Sequence, residues 1–227
     1  MATASTPAPL SRSLFIFSIL YGGMTCIAGV LAFKQVALGP LAVESGIFAF
    51  LMLVVLSSAV AQVHGRRTAD RLVLFGFFPL ALSILLIFLV LSLPASAEMP
   101  PENLSAFERV LSQTPRIMAA GPVAYGVSLL LNVWIFSALR GATGDGSVGM
   151  MARGAIASAL SQSVDTLIFI TLAFYGEFPI GSLLLGQMLA KVALSAILVP
   201  PLIILLVRLA RWLDSPSSGT RRSADPA

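Results

Sequence analysis

The chain has 227 residues, 57% of them hydrophobic and only 11% charged, with a mean hydropathy of +0.95. A soluble domain carries about 25% charged residues, so the composition excludes a soluble globular protein and predicts an all-α, polytopic membrane protein with no soluble domain of useful size. The formal charge of +4 does not point to nucleic acid, because the basic residues stand between apolar runs and at the C-terminus, where membrane topology accounts for them.

Residues 1–13 read as a polar cytoplasmic arm with Pro7, Pro9 and Arg12. Residues 14–33 form the first apolar run, about twenty residues and longer than the core of a signal peptide, so they are expected to stay as a spanning helix. Its small residues Gly22, Gly23, Ala28 and Gly29 suit close helix packing. A short loop over 34–44 carries the turn pair Gly39-Pro40. The second span is 46–63, with Ser58 and Gln62 on one face, and a short basic link over 65–71 leads to the third span, 72–93.

The longest connection, 94–115, places Leu104, Phe107, Val110 and Leu111 on one helical face. That pattern fits either a short helix lying in the membrane interface or a partly ordered loop. The fourth span, 117–139, carries Tyr125, Ser128 and Asn132 as one polar stripe. A glycine-rich link over 141–149 matches no phosphate-binding pattern and reads as flexible. The fifth span is 155–174, and Glu177-Phe178-Pro179 makes a tight turn after it. The sixth, 180–209, is long enough to be tilted, or broken at Pro200-Pro201. Residues 210–227 read as a disordered cytoplasmic tail.

Orientation follows from lysine and arginine. With six spans, Arg12, Arg66, Arg67, Arg71, Arg140, Arg153, Arg208, Arg211, Arg221 and Arg222 fall on one side, and only Lys34, Arg109 and Arg116 on the other. Both termini are therefore expected in the cytoplasm.

Two charges lie within apolar runs. Asp165 continues a stripe of Ser158, Ser161 and Gln162 on the fifth span, and Lys191 lies in the sixth between Gln187 and Ser195. A charge at mid-bilayer costs at least about 2.5 kcal/mol, so it needs a partner or a watery cavity. Asp165 and Lys191 are candidate partners for each other and candidate contacts for a substrate; a purely structural clamp between helices is the alternative. The stretch from Ser128 to Phe136 and the stretch from Ser161 to Phe169 share a pattern: Ser, three residues, Asn or Asp, two residues, Ile-Phe. Consecutive spans run in opposite directions, so the two motifs suit a mid-membrane site built from opposed helices.

The single cysteine, Cys26, and the single histidine, His64, rule out an intramolecular disulfide and argue against a metal centre. No nucleophile–base or phosphate-loop motif is present, so neither enzymatic activity nor a cofactor is expected. Tyr21, Tyr125, Trp134, Phe136 and Phe169 supply rings near the polar stripes, which with amide and carboxylate groups suit a planar, hydrogen-bonding heterocycle.

The stretch 116–202 resembles the queuosine precursor transporter family, also called the vitamin uptake transporter family. The resemblance is carried by the stretch from Ser128 to Phe136, by Ser161-Gln162-Ser163-Val164-Asp165-Thr166, by Ile168-Phe169 and Phe174-Tyr175-Gly176, and by Lys191 with Pro200. A weaker likeness covers 46–71, from Gly46-Ile47-Phe48-Ala49-Phe50 to Gly65-Arg66-Arg67 and Ala69. The resemblance implies six helices in the inner membrane of a bacterial cell and uptake of 7-cyano-7-deazaguanine or a related 7-deazaguanine. Departures stand at Ser58 and Gln62, where the family usually has acidic residues, at Leu51 in place of a common Pro, and at Leu129 and Asn132 in place of Gln and Asp. Fewer carboxylates imply a different or less donor-rich heterocycle, or different coupling to protons.

The reading is an importer of a small planar heterocycle, with the lipid bilayer and that substrate as partners and the oligomeric state left open. The expected site is Ser128, Asn132, Ser161, Gln162, Asp165 and Lys191, with Tyr125, Phe169, Ser58, Gln62 and Gln187 as further candidates. The alternative is a non-transporting, substrate-binding or scaffold subunit of an energised uptake complex.

Overall fold

Nine helices and one β-hairpin are seen in a computed structural model that describes residues 11–38, 41–112, 115–176 and 180–215. The order is α1 (Arg12–Ala32), β1 (Gln35–Leu38), β2 (Leu41–Glu44), α2 (Gly46–His64), α3 (Arg66–Phe75), α4 (Phe77–Ser92), α5 (Pro101–Leu111), α6 (Pro115–Ala138), α7 (Arg140–Thr143), α8 (Ser147–Phe174) and α9 (Gly181–Asp214). Six stretches are long and apolar enough to cross a membrane: α1, α2, α3 with α4, most of α6, α8, and most of α9. The chain is an all-α polytopic membrane protein. The expected turns at Gly39-Pro40 and Glu177-Phe178-Pro179, the first ten residues of the arm and residues 216–227 of the tail lie outside the described residues.

Several boundaries differ from the sequence expectation. The loop over 34–44 is an antiparallel hairpin that pairs Gln35 with Glu44 and Leu38 with Leu41. It is closed by the Ser45 N–H donating to the Lys34 carbonyl at 2.8 Å. The basic link is helical: α3 starts straight after Gly65, whose φ of 85° is a left-handed value that favours glycine. The third span is divided into α3 and α4 at Gly76, where an added Cβ would run into the Tyr21 ring. The glycine-rich link holds α7 and the start of α8, and Gly144, at φ 71°, ends α7. Finally, α9 passes through Pro200-Pro201 unbroken and runs on to Asp214. Its 34 residues span about 51 Å at 1.5 Å per residue, well beyond an apolar core of about 30 Å, so it must tilt or protrude.

Helix α2 is the centre of the bundle, buried along most of its length against α1, α3, α6 and α9. At the rim, α4 buries no residue and exposes Phe78, Leu82, Leu85 and Leu89. Hydrocarbon solvates such a face as well as a protein core would, so in a bilayer the association of these helices rests on packing and hydrogen bonds. Gly46 serves this at the α1–α2 contact: an added Cβ would lie 2.7 Å from the Ala28 carbonyl oxygen and 2.9 Å from Ala32 Cβ.

Three helix ends meet on one face. The Ser13 hydroxyl donates to Asp214 Oδ2 at 2.6 Å and meets His64 Nε2 at 2.7 Å, while the Ser13 N–H donates to Asp214 Oδ1 at 3.0 Å. The start of α1 and the ends of α2 and α9 therefore share that face, as an even number of crossings requires. The hairpin and α5 belong to connections at the opposite end.

Candidate substrate-binding site

On α8, Gln162, Asp165 and Phe169 recur at helical spacing and so face one way. They face Lys191 of α9 and the polar stripe of α6. Lys191 Nζ lies 3.3 Å from Asp165 Oδ2, and the Ser128 hydroxyl donates to Asp165 Oδ1 at 3.2 Å. Asp165 is 7% exposed and Lys191 9%. Both charges are thus taken out of solvent, and each offsets part of the other's desolvation cost. The Lys191 ammonium also lies 6.0 Å from the centre of the Phe169 ring, at the outer limit of a cation–π contact.

The pair borders a cavity of about 500 Å³, a volume typical of sites for small organic molecules. Tyr125, Gln162, Asp165, Phe169 and Lys191, among the residues expected from sequence, line it. The amide of Gln162 is fully buried, and neither its oxygen nor its nitrogen has a hydrogen-bond partner among the described residues. A buried amide without partners is costly, and a ligand edge bearing one donor and one acceptor would satisfy both atoms. Tyr125 is held at the wall by edge-to-face contacts with Phe50 and Phe77, at centroid distances of 5.4 and 5.9 Å.

The other sequence candidates lie elsewhere. Ser128 stands behind the carboxylate, bonded to it but outside the cavity lining. Asn132 donates to the Ser58 hydroxyl at 3.0 Å, tying α6 to α2. The Ser161 hydroxyl turns back to the Ser158 carbonyl of its own helix. Gln62 is drawn to the opposite end of the bundle, accepting from Arg153 and donating to Asp145. Gln187 is not in the lining, and its side-chain oxygen has no partner among the described residues. Of the two repeated motifs, Ser128 from the first and Asp165 from the second meet; Asn132 does not join them.

The sequence reading overlooked two charged contributors. Glu44, at the end of β2, lines the cavity, and so does Arg109 of α5. Burial pushes the Glu44 carboxyl above its usual value; the Lys191 charge opposes that and the Asp165 charge adds to it. Its only signal in the sequence is a lone carboxylate next to the start of a span. Helix α5 buries no residue of its own, yet Arg109, Val110, Leu111 and Ser112 form part of the cavity wall. Half of its apolar face is thus turned to the site.

The chain is similar to known transporter sequences. A family model described as "Putative vitamin uptake transporter" matches residues 44–205. A curated protein, the "Probable queuosine precursor transporter" of Bacillus subtilis (strain 168), is 26% identical over 183 residues, which covers 79% of this chain and 78% of that one. No solved structure matches.

Proposed function

The chain belongs to the vitamin uptake transporter family, and from that membership we propose that it imports a small planar heterocycle, a queuosine precursor such as 7-cyano-7-deazaguanine or a related 7-deazaguanine. The observation that carries this reading is the unpartnered Gln162 amide beside the Asp165–Lys191 pair in a cavity of about 500 Å³. A deazaguanine edge offers an amine, ring N–H groups and a carbonyl. Gln162 can both donate and accept, Asp165 and Glu44 accept when ionised, and Lys191 donates. The rings of Phe50, Tyr125 and Phe169 border the same space and suit a flat ligand. Glu44 supplies a second carboxylate to the cavity beside Asp165. Its place on a hairpin lets the same scaffold serve a donor-rich heterocycle.

The test is uptake in cells that can neither make 7-cyano-7-deazaguanine nor import it. Expression of this chain with low external compound should restore queuosine to tRNA. Asp165→Ala should abolish the effect while the protein still inserts into the membrane. No queuosine from well-inserted wild-type protein would overturn the substrate class, and full uptake by Asp165→Ala would overturn the site.

A further inference from the structure

At the end of the bundle opposite the substrate cavity lies a second, smaller cavity of about 170 Å³, bordered by Gln62, Arg66, Ser137, Arg140 and Arg153. Arg153 is fully buried. Its Nη2 donates to Gln62 Oε1 at 2.9 Å, and its guanidinium carbon lies 4.9 Å from the centre of the Phe136 ring. Its Nε and Nη1 have no hydrogen-bond partner among the described residues. The nearest carboxylate, Asp145, stands 3.7 Å from Nη2, beyond hydrogen-bond range, and has other obligations. Arg140 holds it with two bonds of 2.8 and 3.1 Å, and the Gln62 amide donates to it at 3.3 Å. Arg66 is paired with Asp70 at 3.5 Å.

Three guanidinium groups therefore border one small cavity, and two carboxylates pair with them among the described residues. One positive charge is in excess at the cavity, and Arg153, the most deeply buried of the three, shares Asp145 as ion-pair partner with Arg140. Leaving two donors of a buried cation unmatched is expensive. Water can satisfy the donors but not the charge. A tetrahedral oxyanion does both, because the fork of an arginine matches two oxygens of a phosphate group.

We propose that this cavity is an oxyanion-binding site centred on Arg153, taking a phosphate group either as the free ion or as the headgroup of an anionic lipid. The occupant bridges α2, α3, α6, α7 and α8, which supply the five bordering side chains. It lies on the arginine-rich face, where anionic headgroups are drawn to basic residues at a membrane surface. The site stands independently of the identity of the transported substrate.

The test uses the purified full-length chain in neutral phosphatidylcholine nanodiscs, with ionic strength held constant by chloride. Thermal unfolding is followed as inorganic phosphate is added, then repeated in discs containing phosphatidylglycerol. The variant is Gln62→Glu, which places a carboxylate where the Gln62 oxygen now meets Arg153. Wild type should show a saturable rise in unfolding midpoint with millimolar phosphate. Gln62→Glu should bind phosphate about tenfold more weakly or worse. If phosphatidylglycerol raises the wild-type midpoint and removes the phosphate response, while leaving Gln62→Glu unmoved, the occupant is a lipid headgroup. A wild type that responds to neither, or a Gln62→Glu variant that responds as the wild type does, overturns the site; the second result would be the general stabilisation that phosphate gives to folded proteins.

Discussion

Asp165 and Lys191 stand 3.3 Å apart and nearly out of solvent, so neither can be removed alone without stranding the other. Loss of one member of a buried pair costs about 3–5 kcal/mol. Asp165→Ala and Lys191→Met should each lower stability by that order in detergent unfolding, and the double variant should recover most of the loss. Transport should remain absent in all three, and uptake by the stable double variant would reduce the pair to a clamp between α8 and α9. Glu44 makes a different prediction. Its carboxyl is raised by burial, so the folded chain holds this proton more tightly than the unfolded chain does. The stabilisation it brings is complete below the ordinary carboxylate value and is lost as pH rises through the raised one. Glu44→Gln should therefore flatten the fall in unfolding midpoint as pH rises above the ordinary carboxylate range. A variant with the wild-type slope would mean that another group titrates. Both buried charges were legible because a carboxylate or ammonium within twenty apolar residues has no cheap explanation. Glu44 was not, since it stands outside any span and only the fold of a four-residue strand brings it to the cavity.

Hydropathy located each spanning helix, yet it averages over windows and so loses the short features that shape the cavity. The hairpin of β1 and β2 has strands of four residues each, too short for period-two alternation to register. The stretch 65–71 reads as a polar link because its arginines dominate, although Ala69, Leu72 and Val73 form the buried stripe of α3. Gly46 shows what such local detail does. Gly46, Ala28 and Ala32 all border the substrate cavity at the α1–α2 contact. In Gly46→Ala the new methyl would sit 2.7 Å from a backbone oxygen that cannot swing aside, a kind of overpacking that costs about 1–3 kcal/mol. Unfolding should show that loss, and uptake should fall as α1 moves away from α2. Gly23→Ala is the matched control, because an added Cβ there meets nothing within 4 Å; equal damage from both would point to helix flexibility rather than to the contact.

Taken together, the bundle has two unlike ends. One carries the three-helix junction of Ser13, His64 and Asp214 and the arginine-lined cavity; the other carries the hairpin, α5 and the larger cavity. The excess of arginine predicts that the first end faces the cytoplasm, which would place the substrate cavity in the outer half. The chain contains its own reporter of this arrangement. Cys26, its single cysteine, borders the cavity half-buried and accepts a hydrogen bond from the Ser83 hydroxyl at 3.1 Å. A membrane-impermeant maleimide added to intact cells should label Cys26, and 7-cyano-7-deazaguanine should slow that labelling by occupying the same space. Inside-out vesicles should label more slowly, because the reagent would approach from the arginine-rich end, opposite the cavity that Cys26 borders. Faster labelling in the vesicles would reverse the assignment of the two ends, and labelling from outside that the compound leaves unchanged would separate the cavity from the transported molecule.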